Sequence, residues 1–384
     1  MRQRLLALLW GLVAACAAAQ TVPPAEPMAR DLHEDLQRLT VTVKDLYGRE
    51  ETRQIPLTTF RPAGDGPFPL VVMNHGRAVT DKRALQGRQR FEPLARYLVS
   101  KGFAVFVPTR VGYGDSYGDF DPDNTGNCES LRPQAAAQAA SDQVLATVAY
   151  AKTLPWVDAT RWVVMGQSVG GFTTMAVAAR HPPGLVAAVN FAGGAGGNPD
   201  TRPGNPCSPT ALARLWQDQA AGAQVGMLWL YWSNDRYWGA DWPRRWAQAW
   251  RDGGGQLDFQ QLPSAGKDGH QGMNIDMDHW VPLVEAYLAK AGFTQPGLVA
   301  RPPASGFAQV DEADKVPTTA VGRDNFYRRF LAAPKPRAFA VGAGGAVGFA
   351  TGDWAPGRAL GYCQARRGDP CKLYAVDDDV VWVP

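Results

Sequence analysis

The chain has 384 residues, 45% hydrophobic and 20% charged, with 41 Gly and 30 Pro. That composition excludes a disordered, collagenous or coiled-coil protein, and the length fits one large domain or two smaller ones. A net charge of +3, from 39 basic and 36 acidic residues, is too weak to predict nucleic acid or an anionic membrane surface as a partner.

In chain order, Arg2 and Arg4 precede an apolar run, Leu5–Ala15, and then small residues. This is the three-part pattern of a secretory signal, and the run is too short to span a bilayer, which needs about 20 apolar residues. Two processing sites fit. Ala17-Ala18-Ala19 directs cleavage before Gln20, giving a signal over residues 1–19. Val13-Ala14-Ala15-Cys16 resembles a lipobox, with Cys16 lipidated, and that lipid is the one membrane attachment expected. The protein is therefore expected to be exported, periplasmic or secreted. Four further cysteines remain, Cys128, Cys207, Cys363 and Cys371. An even number in an exported chain predicts two disulfides, and sequence proximity pairs Cys363 with Cys371 and so Cys128 with Cys207.

Residues 20–38 read as a Pro/Ala linker followed by a short helix or approach segment. Leu39–Val43 and Gln54–Phe60 read as antiparallel strands at a sheet edge. The continuous apolar run Phe68–Asn74 and Phe103–Pro108 read as buried strands, and Trp162–Met165, Gly184–Phe191, Gly226–Trp232 and Leu257–Leu262 as further strands. Helical periodicity marks Arg90–Lys101, Pro133–Leu154, Gly171–Arg180 and Trp280–Ala291. The alternation predicts an α/β domain over residues 39–297, a mostly parallel sheet with helices on both faces. Two long loops, Gly112–Arg132 and Gly193–Thr210, break the rhythm, and each holds one cysteine of the expected Cys128–Cys207 bond. Residues 298–322 read as a linker. Residues 323–384 read as a small α+β module with four short strands, and a Cys363–Cys371 staple compensates for its thin core. Asp377, Asp378 and Asp379 fit a solvated hairpin turn, with a cation site as the rival reading.

Gly166-Gln167-Ser168-Val169-Gly170 matches G-x-S-x-G. It follows a strand and opens a helix, the setting in which the two glycines allow a turn that exposes a strained serine. Ser168 is the expected nucleophile. It needs a base, and in the order Ser, acid, His that base belongs on a loop after the last strand. Among five histidines, His270 in Ser264–Gly272 meets this, with His279 as rival. Asp235, just past Leu228–Trp232, is the expected acid, and Asp241 the alternative. An oxyanion hole is expected from the backbone amides of Val169 and Arg77, with Gly76 permitting the turn. The Arg77 side chain has two readings, a partner for an anionic substrate or a structural group. Thirteen Trp is an unusual count. Trp242, Trp246 and Trp250 fall at helical spacing and predict a buried stripe. Tyr113, Tyr237 and Trp238 are expected to line the substrate pocket.

Taken together, NHG at 74–76, GQSVGG at 166–171, WSNDR at 232–236 and GHQG at 269–272 resemble an α/β-hydrolase, most closely the dienelactone hydrolase-like branch, over about two-thirds of the chain. The resemblance implies acyl transfer without metal or organic cofactor. The namesake enzymes carry cysteine at the elbow, so Ser168 favours a small-molecule carboxylic ester over dienelactone. A serine peptidase or amidase of the same fold is the alternative. A non-catalytic envelope-binding protein acting through the C-terminal module is the third reading, opposed by the complete serine, aspartate and histidine set. The pattern assigns no oligomeric state.

Overall fold

The computed structural model describes residues 29–78, 80–294, 302–352, 354–366 and 370–384, so the expected signal and lipobox lie outside the described residues. The strands are β1 (Asp35–Lys44), β2 (Glu50–Phe60), β3 (Phe68–Asn74), β4 (Ala104–Pro108), β5 (Val157–Gln167), β6 (Leu185–Phe191), β7 (Met227–Trp232), β8 (Leu257–Leu262), β9 (Arg337–Gly342), β10 (Val347–Thr351), β11 (Cys371–Val376) and β12 (Asp379–Val380). The helices are α1 (Thr80–Arg83), α2 (Glu92–Ser100), α3 (Gln134–Ala151), α4 (Val169–Ala179), α5 (Pro209–Ala220), α6 (Asp241–Asp252), α7 (Gly272–Ile275), α8 (Met277–Lys290), α9 (Arg328–Ala332) and α10 (Ala355–Ala365).

The first eight strands form one sheet in the order β1-β2-β4-β3-β5-β6-β7-β8. β1, β2 and β4 pair antiparallel, and every pair from β4 to β8 is parallel. The inner parallel strands carry the apolar runs, while the edge strand β8 is partly polar and only partly buried. Every residue of β4 and β7 is buried, as a sheet covered on both faces requires. This is the α/β-hydrolase fold. The exposed alternate positions of β1, which include Arg38, Thr40, Thr42 and Lys44, are those of an edge strand with one face packed.

Several boundaries differ from the sequence reading. β1 begins at Asp35, within the segment read as an approach. Its first residues are polar because they lie on the exposed edge, yet they pair with β2 out to Thr59. Before it, Arg30–Leu32 is one 3-10 turn rather than a longer helix. β5 extends five residues N-terminal to the apolar run, to Val157. The sequence pattern assigns no element to 209–220, where α5 lies and buries Leu212, Leu215 and Trp216. α6 carries buried Trp246 and Trp250, but Trp242 is only half-buried and meets the Arg245 guanidinium. Trp162, Trp216, Trp229, Trp232, Trp238, Trp246, Trp250 and Trp280 are all fully buried, so the tryptophan excess is mainly a core property.

The second sheet runs β10-β9-β11-β12, antiparallel throughout. Side chains of β9 alternate between two small cores. Ala338 and Ala340 meet Leu360 and Cys363 of α10, and Phe339 and Val341 meet Tyr327, Phe330 and Tyr374 on the other face. Part of the segment read as a linker belongs to that second core. Val316 is 1% exposed within it, and the Tyr327 hydroxyl donates to the Val310 carbonyl at 2.6 Å. Asp377 and Asp378 form the β11–β12 turn, and Asp378 pairs with Lys335 and Arg337.

Both expected disulfides are present, Cys128–Cys207 across 79 residues and Cys363–Cys371 across 8. The first closes a long loop, which in the chain-entropy picture restricts the unfolded state most. Replacing Cys128 and Cys207 together by Ser is expected to lower the unfolding free energy by about 2–5 kcal/mol, measured by urea denaturation of the two oxidised proteins.

Candidate active site

The turn from β5 into α4 is set by backbone contact. A Cβ at Gly170 would lie 1.9 Å from the Asn74 carbonyl oxygen at the end of β3, and one at Gly166 would lie 2.1 Å from the Gly170 oxygen. No side chain fits either place. Ser168, between them, is held at φ 60°, ψ −122°, a region that non-glycine residues occupy only when the surroundings over-determine it. Its amide donates to the Phe191 carbonyl at 3.0 Å. The residue is 7% exposed and faces a cleft of about 900 Å³ that also receives His270, Gly76, Arg77 and Tyr237.

Asp235 lies just past β7. Its Oδ2 meets His270 Nδ1 at 3.0 Å with both side chains buried. Its Oδ1 accepts from the amides of Tyr237 at 2.7 Å and Trp238 at 3.1 Å. With its second oxygen occupied, the carboxylate is held in one orientation, and His270 Nδ1 carries the proton toward it, leaving Nε2 free to accept. The imidazole stacks on the Tyr237 ring, centroids 3.9 Å apart and planes 21° apart, and meets the Trp238 edge at 5.5 Å. Asp241 is exposed at the start of α6 and pairs with Arg244. His279 is exposed and pairs with Asp276, which raises its pKa.

Two further groups hold the His270 turn and are not marked by any motif. Gln167 Nε2 donates to the His270 carbonyl at 3.0 Å, tying the elbow to the histidine loop. Asp268 Oδ1 accepts from the His270 amide at 3.0 Å and the Arg236 amide at 2.9 Å. A short acceptor two residues before a loop histidine is the one signal in the sequence that points to this.

Gly76 approaches Ser168 closely, since a Cβ there would lie 3.1 Å from Ser168 Cβ. The loop that carries Gly76 and Arg77 is braced by charges the sequence reading missed. Buried Arg110 donates to the His75 carbonyl at 2.6 Å and pairs with buried Asp123 at 2.9 Å. His75 Nε2 accepts the Arg110 amide at 2.9 Å, and Nδ1–H donates to the Gly76 carbonyl at 2.7 Å, which fixes the neutral tautomer. Burial first, then the Arg110 charge, hold the His75 pKa well below the ordinary range. The Arg77 side chain donates to the Asp123 carbonyl at 2.7 Å and to Asp121 at 3.0 Å, so it serves the loop as a structural group.

Two of the three aromatic pocket expectations are corrected. Tyr113 is fully buried, donates to Asp123 at 2.9 Å, and has Arg83 and Arg110 over its ring, so it belongs to the bracing cluster and not to the pocket wall. Trp238 is 1% exposed and donates to the Ala192 carbonyl at 2.7 Å, placing it behind His270 as packing. Tyr237 does line the cleft. Further wall residues include Lys82, Arg88 and Arg90, and Gln364 and Pro370 of the C-terminal module. No carboxylate is among the described residues lining it. Arg88 and Arg90 are committed to buried Glu34. No metal-holding cluster of His, Cys, Asp or Glu occurs among the described residues, nor any helix long and apolar enough to cross a membrane.

The sequence profile of the X-Pro dipeptidyl-peptidase (S15) family matches residues 52–252, just over half of the chain and inclusive of Ser168 and Asp235. Solved structures resemble the chain at low identity. A Klebsiella pneumoniae protein described as a dienelactone hydrolase is 21% identical, covering 67% of this chain and 99% of that one, TM-score 0.45. A Mycobacterium tuberculosis puromycin-hydrolyzing peptidase is 17% identical, covering 70% of this chain and 41% of that one, TM-score 0.45. Dipeptidyl peptidase 4 of Porphyromonas gingivalis is 16% identical, covering 67% and 35%, TM-score 0.42. The chain thus spans well under half the length of either peptidase, and likenesses at this level assign no substrate. None of the curated proteins matches the chain.

The bracing cluster has a pH signature. Arg110 draws the pKa of Asp123 down to about 2 despite the opposing, larger effect of burial. A carboxylate depressed from an ordinary 3.8 stabilises the fold fully above pH 4 and loses that contribution as pH falls toward 2. Asp123→Asn leaves Arg110 buried without its counter-ion, so urea unfolding is expected to show a loss of about 3 kcal/mol at pH 7 and a flatter acid limb between pH 4 and 2.

Proposed function

The chain belongs to the X-Pro dipeptidyl-peptidase (S15) family of serine hydrolases, and from that membership we propose that it cleaves peptide- or amide-type acyl bonds through Ser168, His270 and Asp235. The observation that carries the proposal is the strained elbow, with Ser168 at φ 60° facing the cleft that also holds His270, itself bonded to Asp235. Ser168 Oγ attacks the carbonyl carbon while His270 Nε2 takes its proton. The Val169 and Arg77 amides meet the tetrahedral oxyanion, and Asp235 stabilises the imidazolium. His270 then gives its proton to the departing amine, and water releases the acyl group by the reverse route.

A cleft that selects a free amino terminus offers a carboxylate to the ammonium. The described lining offers Lys82 instead, while its arginines are committed to Glu34, to Asp121 and to the Asp123 carbonyl. We therefore place N-blocked or otherwise uncharged acyl groups ahead of free-amine ones. Carboxylic esters are the second reading, because the same triad serves both and esters have the better leaving group. The two disulfides favour an oxidising compartment, in keeping with export of the chain.

A fluorophosphonate probe is expected to label the wild type and not Ser168→Ala; labelling of both, or of neither, removes the proposal. On a panel of N-acyl anilides, free-amine aminoacyl anilides and p-nitrophenyl esters, the N-acyl anilides are expected to exceed their free-amine counterparts in kcat/KM. Hydrolysis of the esters alone would install the second reading. Asp235→Asn is expected to lower kcat by about 10⁴-fold with unfolding curves little changed, since it leaves His270 in the wrong tautomer.

A further inference from the structure

The C-terminal module touches the catalytic cleft. Gln364 and Pro370 line the same space as Ser168 and His270, although they lie about two hundred residues beyond the nucleophile. They also flank the staple directly. Gln364 follows Cys363 and Pro370 precedes Cys371, and these two cysteines are bonded. The bond therefore holds both wall residues at a fixed separation on one edge of the module.

The module is seated firmly enough for that edge to matter. A Cβ at Gly361 of α10 would lie 2.3 Å from the Asn274 carbonyl oxygen of α7, and one at Gly357 would lie 2.9 Å from the Pro93 oxygen of α2. Backbone therefore meets backbone at both places. α7 is the turn immediately after His270, so α10 rests on the segment that carries the histidine. Arg358 pairs with Asp278 of α8 at 2.7 Å and donates to the Thr351 carbonyl at 2.8 Å, joining the two units by one guanidinium. The Trp354 ring meets Tyr97 of α2 edge-on at 5.1 Å, and the Lys101 ammonium lies 4.8 Å over it. Contacts of this kind, close backbone approach plus an ion pair and an aromatic edge, fix an orientation as well as an attachment.

We propose that the stapled edge of the C-terminal module is a wall of the catalytic cleft, and that Gln364 and Pro370 are specificity-determining residues that limit the size of the group lying across Ser168. The proposal rests on Ser168 being the nucleophile. On this reading the module is a fixed cap contributed from the C-terminal side, and it confines the enzyme to short substrates.

The test uses the full chain and does not need the natural substrate. Fluorophosphonates of graded size, one with small alkoxy groups and one with a long branched arm, are compared by their second-order labelling rates. Relative to wild type, the Gln364→Ala/Pro370→Ala double variant is expected to raise the large-to-small labelling ratio by about tenfold, and Gln364→Trp to lower it by a similar factor. A size ratio identical in all three proteins overturns the proposal and makes the module a scaffold only. Equal scaling of both probes also overturns it, because a disturbed His270 turn would slow every probe alike. A wild type that takes neither probe overturns the serine reading itself, and this proposal with it.

Discussion

The close packing of Gly170 against the Asn74 carbonyl governs the rest of the site. To bring the end of β3 within a methyl's width of the elbow, the strand order must place β3 directly beside β5, and it does. The residues after Asn74 then have nowhere to go but alongside Ser168, which brings the loop carrying Gly76 and Arg77 against it. Gly171 repeats the constraint on the other flank, where a Cβ would meet the Asn190 side chain at 2.2 Å. The ends of β3, β5 and β6 therefore converge on one turn. Asp235 and His270 arrive from the ends of β7 and β8 on the same edge of the sheet, the edge at which parallel strands deliver their loops.

Convergence of five strand ends leaves the loops crowded, and charge orders them. Arg110, Asp123, Arg77, Asp121 and Arg83 form one cluster behind the amide-bearing loop. Glu34, Arg88, Arg90, Glu92, Arg96 and Asp31 form another beside the cleft. Taking such groups out of water costs several kcal/mol per ion unless each is paired. Here the pairing spans segments far apart in sequence, so it specifies which loop lies against which. His270 is held differently, by a carboxylate, an aromatic stack and a carboxamide from the elbow itself.

The sequence reading succeeded where one local signal decides the structure. β3, β8 and β9 were legible to the residue because each is an apolar or alternating run between turn formers. The elbow was legible because its glycines are demanded by backbone contact and not by partners elsewhere. Reading failed where burial is decided at a distance. Trp238 stands three residues from Asp235 and Tyr113 in a long Gly-rich loop, yet both are committed to the interior, Tyr113 to Asp123 and Trp238 to the Ala192 carbonyl. α5 escaped notice, although its Leu212, Leu215 and Trp216 are buried and Trp216 packs against Phe172 of α4. Gln364 and Pro370 carry no motif at all; their place on the cleft follows from how α10 docks, and no periodicity encodes that.

The Cys128–Cys207 bond encloses the elbow, since Ser168 lies inside the covalent ring it closes. A protease that nicks the chain once within that ring, for instance at the exposed turn of Asp200 and Thr201, cannot separate the two ends. Both fragments stay joined through sulfur, with β5, α4 and β6 still threaded through the sheet by their hydrogen bonds. The bond thus gives the molecule tolerance to cleavage in the region where an unprotected break would part Ser168 from one half of the sheet.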